Sequence, residues 1–222
     1  MKVGTDGVLL GAWCTLNNSV NSVLDIGSGT GLIALMLAQR SFAELIDAVE
    51  IDDNAYEQTV ENFEQSSWAD RLFCYHSNFK DFAEEMSEDE ETYDVIVSNP
   101  PFYNGSFKTD HEERNTARFT NALSFTDLIK GVVKILSEEG VFGVIIPKSE
   151  FEEFTDIAKT NKLYLNRSCW VKGNPEVDVK RVMLEFSFQQ KPVIKEQLII
   201  ETERHKYTVD YINLTKDYYL KM

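Results

Sequence analysis

Residues 23–31, with the sequence VLDIGSGTG, constrain the fold of this chain more than any other segment. A short buried strand is predicted over residues 22–26 and a helix over residues 31–40. The glycines between them, Gly27, Gly29 and Gly31, allow the backbone to turn sharply and to approach a ligand closely. A strand, a glycine turn and a helix in this order predict a nucleotide-binding α/β unit.

Apolar patterns of strand and helix type alternate along the following residues. Further strands are predicted at 44–51, 71–76, 93–98 and 140–146, and further helices at 53–65, 125–136 and 151–160. The acidic stretch at 84–91 reads as a solvated helix end or loop. Alternation of this kind predicts a parallel sheet with right-handed crossovers and helices on both faces.

The carboxyl-terminal third of the chain departs from this alternation. Residues 163–171 and 179–188 are both strand-like, and the segment KGNPE between them has turn chemistry, which predicts a hairpin at the sheet edge. Residues 191–222 are predicted to add a strand pair and a short helix. We therefore predict one Rossmann-like α/β domain over 1–222, with a doubly wound, seven-stranded, mostly parallel sheet. An amino-terminal segment (1–20), a core (21–190) and an extension (191–222) compose it.

Composition excludes several classes of protein. Hydrophobic residues make up 43% of the chain, and no apolar run approaches the ~18–20 residues of a membrane span. Cys14, Cys74 and Cys169 lack the spacing of a zinc site, and no signal-peptide core precedes them. We expect a cytoplasmic monomer with no metal and no membrane attachment.

The net charge of −15 is unevenly distributed along the chain. Residues 1–100 hold 4 Lys and Arg against 19 Asp and Glu, whereas residues 101–222 hold 18 of each. An acidic surface repels phosphates. The distribution therefore predicts that a polyanion would meet the second half of the chain.

The glycine spacing favours one kind of nucleotide-like ligand. A dinucleotide fingerprint would need glycine where Leu32 stands, so a strong pyrophosphate requirement is not indicated, and S-adenosylmethionine is the candidate cofactor. Asp25 precedes the loop on a buried strand, where a carboxylate is costly without a partner. Glu50 is positioned to accept both ribose hydroxyls, with Asp52 as an alternative. Asn78 and Phe79 are placed to contact adenine, although an ordinary loop remains an alternative.

The segment Asn99-Pro100-Pro101-Phe102 follows the strand at 93–98 and indicates which chemical group the protein binds. Two prolines hold the backbone extended and leave carbonyls as fixed acceptors. The Asn99 side-chain oxygen and the Pro100 carbonyl could each accept one hydrogen of a planar exocyclic amine, while Phe102 offers a face for ring stacking. The segment therefore predicts a clamp for a conjugated amino group.

These motifs resemble those of class I S-adenosylmethionine-dependent methyltransferases that carry an Asn-Pro-Pro-(Phe/Tyr) sequence. The starting segment MKVGTDGVLLGAW, IDAVE at 46–50 and the ending DYYLKM are similar to the bacterial tRNA1(Val) (adenine-37-N6)-methyltransferases. The resemblance implies methyl transfer to adenine N6 in tRNA, with Lys2, Thr5 and Asp6 lining the cofactor pocket. The chain departs from the family pattern at two points, since family members usually carry a short segment before the MKVGTD motif and commonly have Asp where this chain has Asn78. From the residues alone, Thr5 and Asp6 could instead cap a helix over 8–13.

The basic residues that follow the clamp are candidates for RNA contacts. Lys108, Arg114 and Arg118 lie among aromatics that include Tyr103, a pattern expected of a substrate loop. A second basic set near the hairpin comprises Lys172, Lys180 and Arg181. Three alternative functions remain at this point: a glutamine N5-methyltransferase acting on release factors, an enzyme acting on rRNA or DNA amino groups, and a non-catalytic module.

Overall fold

The computed structural model describes residues 4–17, 19–101 and 123–220. Within these residues, eight strands form one sheet in the order β3-β2-β1-β4-β5-β7-β6-β8. Only β7 runs antiparallel to its neighbours in this described sheet. The strands are β1 (Ser22–Ile26), β2 (Leu45–Glu50), β3 (Leu72–His76), β4 (Tyr93–Ser98), β5 (Leu136–Pro147), β6 (Tyr164–Lys172), β7 (Arg181–Ser187) and β8 (Ile194–Ile199).

Helices connect the strands and cover both faces of the sheet. They are α1 (Thr5–Trp13), α2 (Leu32–Arg40), α3 (Asp53–Glu64), α4 (Phe79–Glu88), α5 (Phe125–Ile135), α6 (Phe151–Thr160) and α7 (Val209–Thr215). Short 3-10 turns occur at Lys148–Glu150 and Lys216–Tyr218, and a small hairpin joins β9 (Glu201–Glu203) to β10 (Lys206–Tyr207). No helix in the described ranges combines the length and apolar character needed to cross a membrane.

Two apolar clusters form the core, one on each face. Leu10, Leu37 and Tyr211 place α1, α2 and α7 on the first face. Phe82 and Phe154 place α4 and α6 on the second face, together with α5. Burial of one such large apolar side chain contributes about 1.5–3 kcal/mol. Helices packed on both faces therefore hold the sheet in place, and with it the carboxyl ends of its parallel strands.

The predicted fold class is confirmed, and the tail extends it. The seven predicted strands are all present, and β8 from the tail adds an eighth by pairing parallel with β6. The predicted strand pair and short helix of the tail correspond to β9, β10 and α7. The sheet therefore has one more strand at this edge, β8, than the predicted hairpin alone would give it.

The acidic stretch at 84–91 contains the solvated end of a helix, one of the two readings predicted for it, because α4 ends at Glu88 and most of these side chains are exposed. Asn78 caps this helix, and Phe79, Phe82 and Ala83 form its buried face. One local prediction was wrong. The first helix begins at Thr5 and not at residue 8. Its N-cap is Gly4, with no side-chain capping bond. Thr5 and Asp6 are therefore helical residues and do not cap this helix.

Candidate active site at the carboxyl edge of the sheet

The glycine loop lies at the edge where the parallel strands end. Gly27, Gly29 and Gly31 have φ angles of 70°, 63° and 71°, a region that side chains rarely adopt. A Cβ on Gly31 would lie 2.5 Å from the Phe63 ring, whereas one on Gly27 would meet no atom of the described residues within 4 Å. Gly31 is therefore needed for packing as well as conformation, whereas no described residue crowds the backbone at Gly27.

Helix α3 holds this loop from the side. The Asn62 amide donates to the Thr30 carbonyl at 2.8 Å, and the Thr59 hydroxyl donates to the Gly29 carbonyl at 3.1 Å. Sequence reasoning missed both residues, because they are separated from the loop by about 30 positions and carry no motif of their own. These bonds fix the peptide planes, so the loop is held in place without a ligand.

Glu50 ends β2 and is 7% exposed. One carboxylate oxygen, Oε2, accepts from the Gly29 N–H at 2.8 Å. The other, Oε1, accepts from the N–H groups of Ile51 and Asp52, both at 2.9 Å. A carboxylate has about four acceptor directions. Three of these directions are already used, so accepting from two ribose hydroxyls requires Glu50 to lose one of its bonds to a backbone N–H group. The alternative, Asp52, caps α3 by accepting from the Ala55 N–H at 3.0 Å.

Asp25 lies beneath the loop and is completely buried. Its Oδ2 accepts from the Ala34 N–H at 3.2 Å, while Oδ1 has no hydrogen-bond partner within the described residues. Burial raises the pKa of Asp25 from its usual 3.8 to about 7, and the nearby charge of Glu50 acts in the same direction. A buried carboxylate with an unpaired oxygen suits a ligand that brings a positive charge or N–H donors to this loop.

The predicted clamp begins beside the glycine loop. Ser98, the last residue of β4, pairs in register with Ile26 and donates its hydroxyl to the Ile26 carbonyl at 3.0 Å. Gly27 and Asn99 are the residues that directly follow this last pair, one on each chain segment. Asn99 is half-buried, Pro100 is buried and Pro101 is exposed. Parallel pairing of β1 with β4 therefore brings the clamp and the loop together, as the sequence predicts.

Several predicted site residues lie outside the described residues. They are Lys2, Phe102, Tyr103, Lys108, Arg114 and Arg118. Among the basic residues near the hairpin, Lys172 donates to the Pro175 carbonyl at 3.1 Å and Lys180 is exposed. In the described ranges, no group of three His, Cys, Asp or Glu residues is arranged to hold a metal ion.

Asn78 and Phe79 both have structural contacts at the start of α4. The Asn78 side chain accepts from the Asp81 N–H at 2.9 Å, and its amide donates to the Asp81 carboxylate. The Phe79 ring is 5% exposed and packs so closely on α5 that a Cβ on Gly131 would overlap it. Their assignment to adenine stays a prediction, and it requires these side chains to serve both purposes.

The first turn of α1 lies against the first turn of α2. A Cβ on Gly7 would lie 3.5 Å from the Leu32 side chain, the residue that follows the glycine loop. Asp6 accepts from the Arg181 guanidinium at 2.7 Å, and Thr5 is exposed. This position is close enough to the loop for the predicted cofactor role, although Asp6 is already ion-paired. Arg181 thereby anchors the amino terminus of α1 to the start of β7.

A glycine loop and an Asn-Pro-Pro segment at the carboxyl edge of such a sheet form the arrangement expected of a Rossmann-like methyltransferase. Solved structures share this fold. The crystal structure of a "predicted O-methyltransferase" from Agrobacterium tumefaciens superposes with a TM-score of 0.72, at 17% identity and 96% coverage of both chains. That of the ribosomal protein L11 methylase from Lactobacillus delbrueckii gives 0.58, at 16% identity, with 83% of this chain and 78% of that one covered.

Sequence comparisons define the family more narrowly. The family model for the methyltransferase small domain matches residues 8–165. The tRNA1(Val) (adenine(37)-N6)-methyltransferase of Christiangramia forsetii is 54% identical over all of this chain and 92% of its own length. The protein with the same name from Flavobacterium psychrophilum is 53% identical, with 94% of its length covered. This chain therefore belongs to the family of the tRNA1(Val) (adenine(37)-N6)-methyltransferases, which confirms the resemblance identified from its motifs.

Proposed function

We propose that this protein transfers the methyl group of S-adenosylmethionine to the exocyclic N6 of an adenine in tRNA, namely adenine 37 of tRNA1(Val). The substrate follows from the names of relatives that are 54% and 53% identical over the whole chain. The structural observation that carries the proposal is the register of β1 with β4, whose last paired residues, Ser98 and Ile26, are directly followed by Asn99 and Gly27. An amino group bound by Asn99 would therefore lie beside a cofactor bound at the glycine loop.

The residues at the loop suit S-adenosylmethionine. Asp25 and Glu50 bring two carboxylates to the loop, and the Asp25 Oδ1 has no partner among the described residues. The cofactor carries an amine and ribose hydroxyls that such carboxylates accept from. When bound, it supplies a methyl group already activated on a positively charged sulfur. The backbone at Gly27 is unobstructed on the side where a Cβ would point, which gives the ligand room.

Asn99 and Pro100 would prepare the acceptor nitrogen. The lone pair of an adenine amino group is delocalised into the ring, so the nitrogen is a weak nucleophile. Hydrogen bonds from its two N–H groups to the Asn99 Oδ1 and the Pro100 carbonyl return electron density to nitrogen and orient it. Pro100 is buried and Asn99 half-buried, so these acceptors are partly shielded from water. After transfer, the surplus proton leaves the nitrogen to water.

The target adenine must reach the clamp outside a base stack, and an anticodon-loop nucleotide is already single-stranded. The basic residues Lys108, Arg114 and Arg118 follow the clamp in sequence and would contact phosphates. The second half of the chain carries equal numbers of acidic and basic residues, in contrast to the acidic first half. Phosphates would therefore meet the less repulsive part of the protein.

Methyl transfer from labelled S-adenosylmethionine tests the proposal. We expect label in a tRNA1(Val) transcript, recovered as N6-methyladenosine after nuclease digestion. The matched control is the same transcript with guanine in place of adenine 37, which should remain unlabelled. A release factor serves as the protein substrate of the main alternative. Label in the release factor but not in tRNA, or equal label in both transcripts, would contradict the proposal.

A further inference from the structure

A cavity of about 400 Å³ opens beyond the clamp, at the ends of β6 and β8. It lies between the start of α1, the turn after β6 and the tail of the chain. The residues that characterise it are Thr5, Asn174, Glu201, Tyr207, Tyr211 and Tyr219. We call it the tyrosine cavity. Of the predicted cofactor residues that the structure describes, Thr5 alone lines this cavity.

Two of the tyrosines present a partly exposed aromatic surface. The Tyr207 and Tyr211 rings lie 5.2 Å apart and are inclined by 37°. Tyr207 is 37% exposed and Tyr211 is 3% exposed, so the first ring is open to solvent and the second is a fixed support. The Tyr211 hydroxyl lies 3.3 Å from that of Tyr219. Such surfaces stack flat rings, and tyrosine suits a place with one apolar and one wet side.

Polar groups in the cavity offer both donors and acceptors. Within the described residues, the Glu201 carboxylate and the Thr5 hydroxyl make no hydrogen bond. Asn174 accepts from the Glu176 N–H at 3.0 Å through its side-chain oxygen, which leaves its amide hydrogens as donors. A carboxylate repels a phosphate and accepts from an amino group. A flat ring with an amino group, as in a nucleobase, matches this combination.

The strand order determines where the cavity lies relative to the clamp. β6 and β8 run parallel to β4 and β5, so their carboxyl ends reach the same edge of the sheet. From β4, the loop at β1 is one strand away in one direction, and β6 is three strands away in the other. Three strand spacings amount to about 14 Å, which a few nucleotides of a single strand can bridge. In strand order, the end of β4 that leads into the clamp therefore lies between the end of β1 and the ends of β6 and β8.

We propose that the tyrosine cavity binds a base of the RNA substrate that flanks the target adenine, stacking it on Tyr207 and accepting its amino group at Glu201. This inference rests on the proposed function, because it takes RNA as the substrate. It assigns the tail of the chain a role in substrate recognition. It also explains why side chains without partners gather at the far end of the sheet edge.

The test compares Tyr207→Ala with Tyr207→Phe, which keeps the ring. Loss of one stacked base should raise the KM for tRNA about 5- to 100-fold in the alanine variant. The phenylalanine variant should stay close to wild type, and neither should change the affinity for S-adenosylmethionine. Phe42→Ala is the matched control, since Phe42 is 99% exposed and precedes β2 at the opposite edge. Thermal unfolding of each variant verifies the fold.

Direct tRNA binding, measured by fluorescence anisotropy, separates this inference from the proposed function. If the wild type binds tRNA but does not methylate it, the proposed function fails, and the Tyr207 pair still tests the cavity. Glu201→Gln provides an independent variant and should weaken binding on the order of tenfold. An unchanged tRNA affinity in Tyr207→Ala, an equal loss in Phe42→Ala, or a loss of cofactor affinity in Tyr207→Ala would overturn the inference.

Discussion

The two ends of the active edge are built differently. At the cofactor loop, the acceptors of Glu50 already bond three backbone N–H groups, and α3 fixes the loop carbonyls. At the tyrosine cavity, the Glu201 carboxylate and the Thr5 hydroxyl make no hydrogen bond among the described residues. The first end is preorganised by internal bonds, and the second leaves its polar groups for a partner. This difference suits a small invariant cofactor on one side and a large substrate on the other.

A substitution at Gly31 should destabilise the glycine loop more than one elsewhere in it. Gly31→Ala forces a side chain into the left-handed region and into the Phe63 ring, 2.5 Å away. The conformational cost of about 1–2 kcal/mol and an overpacking cost of about 1–3 kcal/mol should together lower the free energy of unfolding by about 2–5 kcal/mol. Urea denaturation measures this loss.

Gly27→Ala is the matched control for that variant. Its φ of 70° is nearly the same, but the added methyl group would meet no atom of the described part of the chain within 4 Å. We expect only the conformational cost of about 1–2 kcal/mol. Equal losses in the two variants would show that packing against α3 does not hold the loop.

Asp25 gives the cofactor side a characteristic dependence on pH. Burial raises its pKa from 3.8 to about 7, so between these values the folded state binds a proton that the unfolded state has released. The free energy of unfolding should therefore fall as the pH rises from about 4 to about 7. At about 1.4 kcal/mol per pKa unit, this loss reaches up to about 4 kcal/mol.

Asp25→Asn should remove that part of the pH dependence. Urea midpoints at pH 5 and pH 8 measure it in the wild type and the variant. Asp47→Asn is a useful comparison, because burial raises the pKa of Asp47 to about 6 and the Tyr93 hydroxyl donates to it at 2.6 Å. Because the pKa of Asp47 is lower than that of Asp25, the fall in the free energy of unfolding that Asp47 causes should be complete by about pH 6. A pH dependence unchanged in Asp25→Asn would remove Asp25 as its source.

The clamp between the two ends should affect rate and not binding. Asn99→Ala removes one fixed acceptor, which by analogy with oxyanion-hole donors lowers the methyl transfer rate about 10²- to 10³-fold. The affinities for S-adenosylmethionine and for tRNA should change little. Single-turnover methylation and calorimetry measure these quantities separately. A variant with the wild-type rate would contradict the role of Asn99.

The cofactor side could be predicted from the sequence because its determinants are local. Strand, glycine loop and helix lie within residues 22–40, and parallel pairing necessarily brings Glu50 and Asn99 to the same edge. What could not be predicted are contacts between distant residues. The contacts that Thr59 and Asn62 make with the loop have no signal in the spacing of residues.

The far side of the edge was less accessible to sequence reasoning for the same physical reason. The ion pair of Asp6 with Arg181 joins residues 175 positions apart. The tyrosine cavity assembles from the start of α1, the turn after β6 and the tail, which lie far apart in the sequence, so that no spacing of residues predicts their meeting. Only the acidic end of α4 was predicted as a possible helix end, and its start at Phe79 was not, because its buried face consists of three residues among acidic side chains.

Calorimetry on two variants tests most directly whether the two ends of this edge bind different ligands, the cofactor at the glycine loop and tRNA at the tyrosine cavity. Glu50→Ala removes a carboxylate at the loop and should weaken S-adenosylmethionine binding by about 1.5–3 kcal/mol, or about tenfold to 100-fold, while tRNA affinity stays unchanged. Tyr207→Ala should do the reverse, weakening tRNA binding about 5- to 100-fold and leaving the cofactor affinity as it is. If either variant weakens both ligands equally, or if Glu50→Ala binds the cofactor like wild type, the edge is not divided in this way.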